Sequence, residues 1–208
     1  MATVPPGALP DDWRPLLAEP PLARLLGRPL VDDALSAMHQ LLPPRTALHS
    51  LRTFLLADAR ARADGTEYDR AGLLAAAAFH DSGLTCEAPR LPGGFPGRSA
   101  VLLDRFLAGH GVDDGRRGAL TRAVREHIRP FPARTAGTEA RLLHFGAWLD
   151  VVGRGDRQLL AERRRLARLA PTPLFAVSFS ARVAVCGLRG VLPDRPPPAG
   201  DRSRRPVR

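Results

Sequence analysis

The sequence predicts an all-α bundle, on three observations. From about residue 21 onward, apolar residues recur at the three-and-four spacing of a helix face. Helix-starting residues such as Asp69 and Thr138 stand ahead of these runs, and glycines such as Gly83 and Gly153 follow them. No segment alternates apolar and polar residues as a half-buried strand does.

The elements follow in order. Residues 1–20 carry several prolines and little periodicity, so a loose arm is expected there, followed by a helical domain over 21–190. Within that domain "PLARLLGRP" fits a short turn of helix, and "VDDALSAMHQLL" has acids near its start and one apolar face. "TALHSLRTFLLADARARA" is a longer amphipathic helix ending before Asp64 and Gly65. "DRAGLLAAAAFHD" starts at an Asp69 cap and stops near Gly83. The stretch "TCEAPRLPGGFPG" has three prolines and no period, so it reads as a loop. Two helices, "RSAVLLDRFLAGH" and "DDGRRGALTRAVREHI", turn around Gly111, and "GTEARLLHFGAWLDVVG" runs from Thr138 to Gly153. "DRQLLAERRRLARLA" and "PLFAVSFSARVAVCGLRG" complete the bundle, and the Pro- and Arg-rich residues 191–208 read as a disordered basic tail.

Composition narrows the function classes. The 208 residues suffice for one domain with a substantial core, and a hydrophobic share of 44% is that of a folded protein. No apolar run approaches the roughly 20 residues of a membrane span. The first residues lack the basic start and apolar centre of a secretory signal, so a cytoplasmic protein is expected. Two cysteines, Cys86 and Cys186, cannot build a disulfide framework. The net charge of +10 invites a nucleic-acid reading. Against it, all 31 basic residues are arginine, part of the excess sits in the tail, and no aromatics are interleaved for base stacking. Nucleic acid is therefore not the expected partner, and lysine-based covalent catalysis is excluded.

The chemistry concentrates in a vicinal pair, His80 and Asp81, closing the alanine-rich segment "LLAAAAFHDSGL". His49 stands upstream among Leu48, Leu51 and Leu55, and Asp150 downstream among Trp148, Leu149 and Val151. Such groups inside apolar segments are costly unless paired or bound to a cation. Imidazole and carboxylate together suit one divalent metal ion, Zn, Mn, Fe, Ni or Mg. Each residue also has a plainer reading: His49 as a satisfied core histidine, Asp81 as a solvated helix-end charge, Asp150 as a buried acid paired with an arginine. Adjacent helical side chains diverge by about 100°, so His80 and Asp81 can share an ion only where the helix ends or loosens.

The order His49, His80-Asp81, Asp150, carried by "HSLRTFLL", "AAAFHDSGLT", "RAVREHIRPF" and "LLHFGAWLDVVGRG", resembles the HD-domain superfamily of metal-dependent hydrolases over residues 31–190. Within it the chain looks closest to the cyanamide hydratase-like subgroup. The resemblance implies an HD-domain helical bundle in which His49, His80, Asp81 and Asp150 hold the metal, whose bound water attacks a small-molecule substrate. It also draws attention to His127, as proton donor, substrate contact or additional ligand, with a dipole-favoured helix-end histidine as the plainer reading. Arg52, three residues after His49, either holds an aspartate in place or contacts an anionic substrate. Ser50 and Thr85 are candidates for hydrogen bonds around the ligands, and Cys86 for a small buried residue. His110 and His144 are expected to lie outside the site.

One departure matters. Where relatives carry a stretch resembling Phe-Glu-Val-Asp-Gly-Ala, this chain has Phe95-Pro96-Gly97-Arg98-Ser99-Ala100. The expected activity is therefore a small-molecule hydrolase, with phosphate esters favoured if Arg52, Arg90 and Arg98 face the substrate. The alternatives are hydration of a nitrile or cyanamide in an apolar pocket near Phe79 and Phe95, and a degenerate domain that binds without catalysis.

Overall fold

The structure, a computed structural model, describes residues 9–84, 94–133, 135–153 and 157–191. Among them are ten α-helices and no strand. In chain order these are α1 (Arg14–Leu17), α2 (Pro20–Ala23), α3 (Pro29–Leu41), α4 (Pro44–Asp64) and α5 (Arg70–Phe79). Then come α6 (Gly94–Gly109), α7 (Asp114–Glu126), α8 (Thr138–Val152), α9 (Arg157–Leu169) and α10 (Phe175–Val191). The all-α expectation holds. Thr85, Cys86, Arg90 and the expected tail from residue 192 lie outside the described residues.

Helix α4 is the axis of the bundle. Pro44 occupies its first turn, where a missing N–H costs nothing, and Gly65 closes it in the left-handed region at φ 61°. Every residue from Thr46 to Asp58 is buried, polar ones included, because neighbours surround this helix on all sides. Its most extensive partner is α8, and the approach is close: a Cβ on Gly146 would collide with the Thr53 carbonyl oxygen. Helix α5 also packs against α4, with α3 and α7 on its flanks. Four consecutive alanines, Ala75–Ala78, are all buried, and their small side chains let it sit deep in the core. Asp69 caps α5 as expected, accepting the Gly72 N–H at 3.0 Å.

Two boundaries differ from the sequence expectation. The N-terminal segment from residue 9 is no loose arm: Trp13, Leu16 and Leu22 are buried in the core. Pro15, Pro20 and Pro21 sit in the first turns of α1 and α2, where proline starts helices rather than breaking them. Arg165 of α9 locks the segment down through a two-pronged ion pair to Glu19 at 2.7 and 2.6 Å. Likewise α6 begins at Gly94, taking in Pro96 and Gly97 that the sequence assigned to a loop.

Gly83 also serves a different purpose from the one predicted. It is not a left-handed helix stop; it sits in a 3-10 turn, Ser82–Leu84, pressed against α6. A Cβ there would collide with the Phe95 carbonyl oxygen. Its N–H donates to Ser99 Oγ at 2.9 Å, and its carbonyl accepts from Arg98 at 2.9 and 2.7 Å. Among the described residues no helix is long and apolar enough to cross a membrane.

Candidate metal centre

Two helix ends and one helix middle bring the site together. His80 is the residue that closes α5, and His127 closes α7. Each folds its ring back onto its own last turn: His80 Nδ1 donates to the Ala77 carbonyl at 2.7 Å and His127 Nδ1 to the Val124 carbonyl at 2.6 Å. The last carbonyls of a helix lack intrahelical partners, so this local arrangement satisfies them. A carbonyl can only accept, so both Nδ1 atoms carry the proton and both Nε2 atoms present a lone pair. The two rings stand edge to face, 4.9 Å between centroids.

His49 comes from the middle of α4 with the same polarity. Its Nδ1 lies 2.7 Å from Asp150 Oδ2 of α8, and an ionised carboxylate can only accept, so Nδ1 donates and Nε2 faces inward. There it meets His80 Nε2 at 3.3 Å. The helix ends at Phe79, as the sharing of one ion by neighbouring residues demands, so the Asp81 carboxylate turns to the same point. Asp81 Oδ2 is 3.2 Å from His80 Nε2 and 3.8 Å from His49 Nε2, while Oδ1 is 3.6 Å from His127 Nε2.

With the imidazoles neutral, this is a collection of acceptors without a donor. Both Asp81 oxygens and His127 Nε2 are buried and have no hydrogen-bond partner. Orphaned buried polar atoms are costly, and an orphaned carboxylate most of all. A cation among them would turn the repulsion into attraction. His49, His80 and Asp81 form a buried group able to hold a metal ion, with one ligand atom each lying within 4.8 Å of the others. Ligand atoms held about 2.0–2.2 Å from one ion stand roughly 3 to 3.6 Å apart, close to what the three residues present.

Electrostatics points the same way. Burial works to raise the Asp81 carboxyl, but the attraction of the neighbouring imidazoles, His80 first, outweighs it and holds the group well below the usual carboxylate range. Burial opposes charging of His80, yet the Asp81 carboxylate outweighs it and raises that imidazole. His127 goes the other way: burial dominates and keeps its ring neutral.

Asp150 does not join this group. Both of its oxygens are taken, by His49 Nδ1 and by Arg52, which donates from Nε to Oδ1 at 2.8 Å and from an NH2 group to Oδ2 at 2.9 Å. The expectation of Asp150 as a fourth ligand is replaced by its plainer reading, a buried acid paired with arginine. Burial alone would raise it, but the bonds to His49 and Arg52 lower it to about 2. Its position behind His49 fixes the tautomer and direction of that ring, as carboxylates behind metal-binding histidines do.

Arg52 likewise turns to Asp150 and does not line the histidine cavity described below. Only 3% exposed, it also donates to the Ala170 carbonyl at 2.8 Å and to Thr172 Oγ1 at 2.9 Å. Arg98 is spent on Gly83. Phe79 packs on Phe106, and Phe95 stands edge-on to His127 at 5.9 Å; neither lines the histidine cavity described below. The Ser50 hydroxyl is buried without a partner. His110 faces Asp33 and His144 donates to the Arg129 carbonyl, both away from the centre as expected.

A cavity of about 320 Å³ opens off His49, His80 and His127, walled by α8 and α10. Sequence reasoning missed α10 altogether as part of the site. Phe175 lies against the His49 ring at 4.9 Å and Phe179 at 5.7 Å. Their spacing of four residues, one helix turn, was the available signal. A scan against protein-family models finds no match for this chain, and a search of curated proteins finds none.

Proposed function

We propose that this chain is a metal-dependent hydrolase of the HD-domain type acting on a small molecule, with His49, His80 and Asp81 as ligands to one divalent ion. The observation that carries the reading is the convergence of lone pairs: inward-facing Nε2 atoms of histidines that line a cavity, with a partnerless buried carboxylate beside them. Three protein ligands with positions left open are the arrangement of catalytic rather than structural sites. The ion, when bound, would supply Lewis acidity and lower the pKa of water at the site.

The remaining chemistry belongs to the chain. His127, neutral and with its Nε2 free, accepts a proton at that atom and can return it to a leaving group. Its Nδ1–H bond to Val124 keeps the ring from turning away. Asp150 and Arg52 hold His49 in its tautomer from behind. Phe175 and Phe179 pack against the His49 ring and hold it in place.

Metal analysis of protein purified without chelators tests this directly. The wild type is expected to bind one divalent ion per chain, and His80→Ala or Asp81→Ala to lose it while the helical circular dichroism stays intact. Full metal retention in His80→Ala would overturn the ligand assignment. Hydrolysis that is indifferent to a chelator would overturn the mechanism.

A further inference from the structure

The surroundings of the centre point to the class of substrate, an inference that rests on the hydrolase reading above. Helix α8 contributes Trp148, Val151 and Val152 to the cavity wall, and α10 contributes Phe179, Ser180 and Val183. Apart from the three histidines, none of the described residues lining it has an ionisable side chain. In a chain with 31 arginines, the absence of any from the described lining is informative. Three guanidiniums around the centre are bound elsewhere: Arg52 on the Asp150 carboxylate, Arg163 on the Asp150 carbonyl at 3.1 and 2.9 Å, and Arg98 on Gly83.

Hydrogen-bond donors are equally scarce. Trp148 turns its Nε1–H away to the His127 carbonyl at 3.0 Å, so the indole offers the cavity its ring rather than its polar edge. The Ser180 hydroxyl is the one side-chain donor left among the described lining residues outside the histidines. A phosphate or carboxylate needs several donors for its oxygens, and burying it here would leave them unsatisfied. Ile128 and Val152, 41% and 44% exposed, make the rim apolar too.

We infer that the substrate is an uncharged, largely apolar molecule, a neutral ester, amide or nitrile, whose apolar body lies between α8 and α10 with its reacting carbon toward the histidines. About 150 Å³ accommodates a benzene-sized molecule, so the cavity has room for one ring or a short chain plus the group to be attacked. The polar product of water addition would be less well matched to these walls, which favours its release.

Trp148 gives a readout independent of turnover. The chain has two tryptophans, and the other, Trp13, is buried beside α1. Benzonitrile and benzamide are titrated into zinc-loaded protein against phenyl phosphate and benzoate of similar size, following tryptophan fluorescence, with Trp148→Phe as the blank. The neutral probes are expected to bind at least about tenfold more tightly than the anions. Val183→Arg should abolish their binding with metal content unchanged, and Val183→Leu, safer for folding, should weaken it by filling space. Tighter binding of phenyl phosphate, or no binding of either neutral probe to metal-loaded protein, would overturn the substrate class. A protein that takes no zinc yet binds benzonitrile would instead refute the hydrolase reading and leave the character of the cavity standing.

Discussion

Replacing Arg52 by methionine isolates the buried ion pair that supports the centre from behind. The side chain is 3% exposed, and its partner Asp150 is 6% exposed, so no water can take over the role of the guanidinium. Methionine keeps much of the volume and removes the charge. Asp150 then retains one bond, to His49, while the Ala170 carbonyl and Thr172 hydroxyl lose theirs. Breaking a buried pair on one side costs about 3–5 kcal/mol, mostly from the uncompensated charge left behind. For a domain of this size each kcal/mol moves the melting midpoint by about 2–4 °C, so a fall of roughly 6 to 20 °C is expected. Thermal and urea unfolding followed by circular dichroism measure the shift and the free energy, in excess chelator so that bound metal does not add stability. The double variant Arg52→Met/Asp150→Asn separates charge from packing. Asparagine still accepts from His49 but carries no charge, so at least half of the lost stability should return. Two outcomes would refute the reasoning: a single variant within about 0.5 kcal/mol of wild type, the range of an ordinary surface change, or a double variant whose loss is the plain sum of the two singles.

Two more expectations concern the scaffold. Gly146→Ala would drive a Cβ into the Thr53 carbonyl oxygen where α8 crosses α4, and backbone cannot move aside as a side chain can. A loss of about 1–3 kcal/mol in urea unfolding is expected, and an alanine variant as stable as wild type would mean that the helices are less closely apposed. Tyr68, the chain's single tyrosine, donates to buried Asp58 at 2.6 Å. Burial, then the bond to Asp58 and its charge, raise the phenol well above its ordinary 10.0. A group raised in the folded state contributes stability that is complete below its unfolded pKa and lost at higher pH. Stability should therefore fall as pH rises above about 10, with phenolate absorbance appearing only as the chain unfolds. Phenolate forming at pH 10 in the folded protein, or a Tyr68→Phe variant with the same alkaline fall, would contradict this.

Much of this was legible along the chain because the signals are local. Helical period, the Asp69 cap, the Gly65 and Gly153 stops and the vicinal His80-Asp81 pair at a helix end all depend on residues within a turn or two of one another. The docking of Trp13 and Leu16 was not legible, because prolines that open short helices look, in sequence, like prolines that forbid them.

By itself the sequence determined that the chain is helical, that its histidines and acids sit in apolar segments, and that lysine chemistry is excluded. Which of those groups meet was decided by packing across long separations. Arg52 and Asp150 stand 98 residues apart and pair because α4 and α8 cross at Gly146, and that pairing turned an expected ligand into a support. The apolar character of the cavity was decided in the same way, by α8 and α10 facing each other over the histidines. Period and composition report what each helix can bury, whereas the partner of a buried charge is fixed only when the whole bundle closes around it.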